Sequence, residues 1–141
     1  EVLLNYAESM NEAYGPEVLA AAPLANLTAL AAVNIIRART GVAMPDFPTG
    51  MSQSAFRDRL KNERMVELAF EDHRFWDIRR WKMGSTTKDI YGVDITKAGT
   101  VYTYTKKLVK SRFWDDRMYL YPIPQTELFI NNKLLPQNTG W

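Results

Sequence analysis

Three glutamates at a four-residue interval constrain this chain more than any other feature. In the stretch NERMVELAFEDHRFWDIRRW, residues 62–81, Glu63, Glu67 and Glu71 stand at i, i+4 and i+8. A helix through them aligns all three carboxylates along one face. Phe56, Leu60 and Phe70 share that side, which places at least Glu63 and Glu67 partly in the core. Like charges one turn apart repel by about 0.2–0.5 kcal/mol per pair on an exposed helix. Buried without partners, each would cost several kcal/mol. Counter-ions are therefore required, and Arg37, Arg39, Arg64, Arg74, Arg79 and Arg80 are the supply. The guanidinium fork grips a carboxylate with two parallel bonds, which a lysine cannot do. The expectation is a structural ion-pair network built on Glu63, Glu67 and Glu71 with Arg64, Arg74, Arg79 and Arg80, tying neighbouring helices together.

The charge distribution supports such docking. Residues 1–36 carry Glu1, Glu8, Glu12 and Glu17 and no Lys or Arg, whereas residues 37–82 carry ten basic and seven acidic residues. A segment without bases facing an Arg-rich one is a basis for electrostatic packing within the fold. The whole chain is nearly balanced at +2, so no general preference for polyanions follows. At 46% hydrophobic and 24% charged residues it has a globular composition, not that of a disordered or collagen-like chain. Cysteine is absent, which excludes disulfides, thiol nucleophiles and Cys-based metal sites. No apolar run approaches the roughly 18 residues of a membrane helix, and no signal-peptide pattern is expected within residues 1–141. The first residue is Glu1, and Glu1-Val2-Leu3-Leu4 reads as helix interior; the chain is expected to be a fragment of a longer protein.

Residues 1–14 place Leu3, Ala7, Met10 and Tyr14 at helical spacing, and Gly15-Pro16 stops the helix. A second, Ala- and Leu-rich helix is predicted from about Leu24 to Arg39. Together they read as a helical hairpin over residues 1–40, close-packed through alanine as in tetratricopeptide-type pairs. Residues 41–51 read as a loop. Ser52 or Ser54 caps a long helix over Ala55–Phe70, and a short break at Glu71-Asp72 leads to a second helix over His73–Lys82, giving a long helix pair over 52–82. Beyond Gly84 the texture changes. TVYTYTKKLV, residues 100–109, alternates as a strand does, Met118–Tyr121 reads as a second short strand, and Gln125–Ile130 as a helical turn. The fold class is mainly α, with tetratricopeptide-like helical hairpins followed by an irregular region over 83–141 with a little β.

Few residues suggest catalysis. Glu63 and Glu67 admit a general acid and base reading, as in a glycoside hydrolase. Such pairs need environments that separate their proton affinities and an open cleft between them, and many arginines suit ion pairing better. His73 is the only histidine, so a His-Glu-x-x-His zinc site is excluded, and no metal site or cofactor is expected. Ser52, Ser54 and Ser85 lack the Gly-x-Ser-x-Gly context of a nucleophile elbow. Phe75, Trp76 and Trp81 have helical spacing and are expected in the core. Trp114, in the charged stretch SRFWDDR, is the one aromatic singled out as a candidate ligand platform. A nucleic-acid track along Arg74, Arg79, Arg80 and Lys82 is disfavoured, because Glu71, Asp72 and Asp77 interleave with it.

Three phrases together resemble the SusD/RagB family. They are Leu4-Asn5-Tyr6-Ala7-Glu8 with Asn11-Glu12; Asn62-Glu63-Arg64 through Glu67-Leu68-Ala69-Phe70-Glu71 and His73-Arg74 to Asp77-Ile78-Arg79-Arg80-Trp81; and Tyr119-Leu120-Tyr121-Pro122-Ile123-Pro124 with Gln137-Asn138 and Gly140-Trp141. LAAVNIIRAR, residues 30–39, also fits. The resemblance covers the chain in order and is to the C-terminal part of the family. It implies a mainly helical, tetratricopeptide-like fold and a non-catalytic outer-membrane lipoprotein exposed at the cell surface. It implies a nutrient ligand, commonly a glycan, delivered to a SusC-like TonB-dependent transporter. It also implies contact with the remaining N-terminal part of the same protein, which would carry the lipid-bearing Cys. Asp72 stands where the family often has Gly, and Thr139 where Pro is common. The alternative from the residues alone is a helical-repeat protein–protein interaction module. No ligand residue beyond the Trp114 candidate follows from the motifs.

Overall fold

In the computed structural model, which describes residues 1–19 and 27–141, the chain divides into two units, Glu1–Arg74 and Phe75–Trp141. The first unit is helical. Helix α1 (Val2–Tyr14) packs against α2 (Ala29–Arg37) and α3 (Gln53–Glu67). The α1 stripe keeps Ala7 and Met10 of the expected one but is rotated at its ends: Leu4 and Asn11 are buried, Leu3 is half-buried and Tyr14 is exposed. A helix is free to rotate its buried face when several apolar residues adjoin it, and here the docking of α2 and α3 selects the face. Gly15 ends the helix with φ +97, a value that favours glycine.

Helix α2 is shorter than Leu24–Arg39. Thr28 is its N-cap, its hydroxyl accepting from the Ala31 N–H at 3.0 Å, and the helix closes at Arg37. Residues 24–26 of the expected helix lie outside the described residues. Ala29, Ala32 and Val33 are fully buried, so small side chains bring α2 close to its neighbours. Residues 41–51 form a loop as expected, pinned by Phe47. Its ring meets Phe56 edge-on at 5.8 Å, and its N–H donates to Asn34 Oδ1 at 2.9 Å.

Ser52, not Ser54, caps α3, accepting from the Ala55 N–H at 3.2 Å. Phe56, Leu60, Glu63 and Arg64 form its buried stripe. The helix ends at Glu67 instead of Phe70. Phe70 and Asp72 both adopt left-handed backbone, φ +66 and +61, and Phe70 is fully exposed. Phe70 therefore does not share the glutamates' buried side, and Glu71 leaves the helical ladder. At Asp72 the turn uses a residue that tolerates positive φ better than most.

Helix α4 (His73–Arg80) leads into the second unit. There the sequence reading missed a strand. β1 (Asp89–Ala98) pairs antiparallel with β2 (Val101–Ser111) across the two-residue turn Gly99-Thr100, with Gly99 at φ +60 and a bulge at Ile90/Tyr91. Gly92, Asp89, Asp94 and Lys97 dilute the strand preference of β1, although Tyr91, Val93 and Ile95 do alternate. Met118–Tyr121 is not a strand: Asp116–Tyr119 forms a 3-10 turn, capped by Asp115 Oδ1 accepting from the Arg117 N–H at 3.0 Å. Helix α5 (Gln125–Ile130) is as expected, and the architecture is mainly α with a small two-stranded sheet.

The tail is fastened by side chains reading backbone. Gln137 accepts from the Ile123 N–H at 2.7 Å and donates to the Ile123 carbonyl at 2.9 Å, and Asn138 Nδ2 donates to the Tyr121 carbonyl at 2.5 Å. The Trp141 indole N–H lies 3.0 Å from the carbonyls of both Arg117 and Leu120. These contacts join the segment Tyr-Leu-Tyr-Pro-Ile-Pro to Gln-Asn and the terminal Gly-Trp.

Candidate functional site

In the first unit the glutamate ladder meets arginines at the end of α2 and in the turn just beyond it. Arg37 Nη1 donates to Glu63 Oε2 at 2.5 Å, and Arg37 Nε donates to the Pro45 carbonyl at 2.6 Å. Arg39 pairs with Glu67, which holds the Arg39 guanidinium above its ordinary proton affinity, chiefly through that hydrogen bond. Arg64 points the other way, donating to Asn5 Oδ1 at 2.7 Å with Glu8 at 3.9 Å, so α3 is tied to α2 by its acids and to α1 by its base. Glu12 and Arg57 form a two-pronged pair at 2.5 and 2.6 Å between α1 and α3. Arg57 lowers the Glu12 carboxyl, its hydrogen bond outweighing partial burial.

The principal counter-ions, Arg37 and Arg39, came from the wider supply of arginines and not from the core motif. Arg37 closes α2 and Arg39 lies in the turn just beyond it, so the sequence signal for them is an arginine pair at the C-terminal end of a helix. Glu71 is exposed and pairs with none of the described residues. Arg74 makes no ion pair among the described residues, Arg80 pairs with the buried Asp77 at 2.8 Å, and Arg79 lies against aromatic rings. Glu63 and Glu67 do border a cavity of about 630 Å³ with Arg37, Phe47, Arg59 and Val66. Arg37 and Arg59 stand over the Phe47 ring at 5.0 and 4.8 Å. His73 Nε2 lies 3.6 Å from Glu1 Oε2. No group of three or more His, Asp or Glu able to hold a metal occurs among the described residues.

The second unit holds a larger groove, about 810 Å³, bordered by Trp76, Arg79, Arg80, Arg117, Tyr119 and Tyr121, with Lys82, Asp116, Leu120 and Thr139 completing it. Helix α4 supplies Trp76 and the two arginines, and the 3-10 turn with its extension supplies Arg117 and the tyrosines. Phe75 and Trp76 are exposed, 41% and 59%, against the expectation that they are core. Within α4 only Asp77 is buried, and the neighbouring positions 75 and 76 face directions about 100° apart. Phe75 and Trp76 meet edge-on at 5.0 Å, and Phe75 stacks with Tyr121 at 6.5 Å and 27°. The Arg79 guanidinium lies 3.6 Å from the Phe75 centroid and 5.5 Å from that of Tyr121.

Trp114 packs against backbone. A Cβ on Gly84 would stand 1.8 Å from Trp114 Cζ2, and the indole meets Tyr119 at 5.0 Å. Trp114 is half-buried and does not border the groove; Trp76, Tyr119 and Tyr121 provide its aromatic surface. Helical spacing places Trp76 in the core, and Tyr119 and Tyr121 read as part of a strand; the signal for all three is the recurrence of aromatics beside arginines.

The model of the SusD family matches residues 1–141. SusD-like protein P2 of Formosa agariphila is 31% identical over 146 residues, a span that takes in the whole chain and 24% of that protein. A crystal structure of a SusD-like protein from Bacteroides fragilis matches 99% of the chain with a TM-score of 0.74 and 33% identity, over 24% of its own length. The chain thus spans about a quarter of the length of these relatives.

Proposed function

The chain belongs to the SusD family, and on that premise we propose that it serves a non-catalytic, nutrient-binding lipoprotein of the outer membrane, exposed at the cell surface. Its ligand is a glycan, handed to a SusC-like TonB-dependent transporter. The observation that carries this reading is the match of the family model along the entire chain, residues 1–141. The groove of the second unit supports it. Its aromatic surfaces suit the apolar faces of sugar rings, and its polar side chains suit their hydroxyls. The Glu63–Arg37 and Glu67–Arg39 pairs support a structural use of the glutamate ladder, in which the carboxylates join helices and turn over no substrate.

Native affinity electrophoresis of the full-length protein in gels containing different polysaccharides tests the proposal, with released reducing ends assayed in parallel. Retardation by a polysaccharide without released ends is the expected result. Release that disappears in Glu63→Gln would replace the binding reading with that of a hydrolase, and no retardation in any gel would remove the glycan.

A further inference from the structure

Resting on the nutrient-binding reading, we propose that the groove of the second unit selects acidic saccharides, sugars bearing a carboxylate or a sulfate ester, with Arg79 receiving the anionic group and Lys82 adding charge at the rim. Four cationic residues border this groove, Arg79, Arg80, Lys82 and Arg117, against the single carboxylate of Asp116. Two of the four have carboxylates beside them: Arg80 bonds Asp77 at 2.8 Å, and Arg117 has Asp115 at 3.7 Å. Arg79 and Lys82 have no carboxylate partner among the described residues.

Arg79 carries a second, independent sign of an absent acceptor. Its Nε is buried and makes no hydrogen bond, while its Nη1 makes only a long contact, 3.5 Å, to the Phe75 carbonyl. Buried donors of this kind are nearly always satisfied in folded proteins. The guanidinium is held by the Phe75 and Tyr121 rings and not by an acid, so it keeps its full charge for a ligand and loses little freedom on binding one. A planar fork fixed in this way matches the geometry of a carboxylate or sulfate. Trp76 and Tyr119, at the same groove, offer the faces on which the ring bearing that anion would rest. Asp116, the one carboxylate at the groove, accepts from the Trp114 indole N–H at 3.3 Å and forms no ion pair with Arg79 or Lys82, so three of the four cationic charges remain in excess.

The test is calorimetric titration of the full-length protein with four probes: tetragalacturonic acid, its fully methyl-esterified form, a sulfated neocarratetraose, and a panel of neutral tetrasaccharides from glucan, xylan, mannan and galactan. The expected result is that an acidic probe binds roughly tenfold more tightly than its neutral counterpart, and that this advantage shrinks with added salt. The carboxylate and sulfate arms identify which acidic group is taken. Arg79→Gln abolishes the advantage, and Arg79→Lys restores only part of it because the fork is lost. Should Arg79→Gln fail to fold, Lys82→Glu at an exposed position decides, since reversing that charge must weaken acidic probes and leave neutral ones unchanged. Equal affinity for tetragalacturonic acid and its ester, with no advantage for the sulfated probe, overturns the inference, as does an acidic preference that neither substitution alters. Neutral tetrasaccharides binding without any acidic preference would overturn it while leaving the nutrient-binding reading intact. Failure of every saccharide to bind would remove both.

Discussion

Arg37 and Glu63 bind each other at 2.5 Å with their side chains only 10% and 9% exposed, making this the most enclosed ion pair among those described. Removing one partner leaves the other charge enclosed without compensation, at a cost of about 3–5 kcal/mol. Glu63→Leu is therefore expected to lower the urea midpoint steeply, and Arg37→Met likewise. The double variant Arg37→Met/Glu63→Leu is expected to recover most of the loss, because an apolar pair of similar volume is often neutral at such a site. Urea unfolding of the four proteins checks this. Additive losses in the double variant would show that the two residues do not act as a pair.

Gly84 and Trp114 are in closer contact than any side chain at position 84 permits. A Cβ there would lie 1.8 to 2.3 Å from three atoms of the indole, so either the ring or the 3-10 turn over Gly84–Thr87 must move. Gly84→Ala is expected to destabilise the second unit by at least about 1–3 kcal/mol and to change the near-ultraviolet dichroism of Trp114. Trp114→Leu should remove most of that penalty. A Gly84→Ala protein with an unaltered aromatic spectrum and melting temperature would contradict the contact.

The contrast between these two sites marks what the sequence makes legible. Glu63 and Glu67 announce themselves because charge at helical spacing beside Phe56 and Leu60 demands a counter-ion. Their partners are less visible: Arg37 and Arg39 are distant in sequence, and only the packing of α2 and α3 on α1 brings them to the glutamates in place of Arg64. The end of α3 at Glu67 was hidden for a related reason. Leu68, Ala69 and Phe70 favour helix locally, and the left-handed turn at Phe70 and Asp72 is a decision of the whole chain. β1 was hidden because Gly92 and the charges along it mask its alternation. The groove depended on Phe75 and Trp76 being exposed, and aromatic residues give no sequence signal for which way they face. Side chains that read backbone, such as Gln137 on Ile123, leave no periodic signal in the sequence, and only the structure supplies their geometry.

Phe70 bears the cost of the turn after α3. A bulky side chain at φ +66 is strained, and at full exposure it gains nothing from burial in return. Phe70→Gly is expected to be neutral or stabilising by up to about 1 kcal/mol, and Phe70→Asn similar. Asp72→Val, which puts a β-branched residue at φ +61, is expected to destabilise. Thermal melts of the three variants test the pattern; a stabilising Asp72→Val would mean that the left-handed turn is not retained.

The Glu12–Arg57 pair gives the first unit an acid-sensitive contact. Arg57 holds the Glu12 carboxyl below the ordinary glutamate range, mainly by its hydrogen bond, with partial burial opposing. A carboxyl lowered on folding contributes stability that is fully present above its unfolded value and is lost as pH falls through the lowered one. Both side chains are substantially exposed, 36% and 45%, so solvent and salt keep the contribution small. The melting temperature of the native sequence should therefore exceed that of Glu12→Gln by a modest margin near neutral pH. The margin should close as pH falls from about 5 to about 3, across and below the ordinary carboxyl range, and narrow in high salt. A difference between the two proteins that stays constant over that range would mean the pair does not shape the acid limb, and that Glu12 acts there only through the hydrogen bonds an amide can replace.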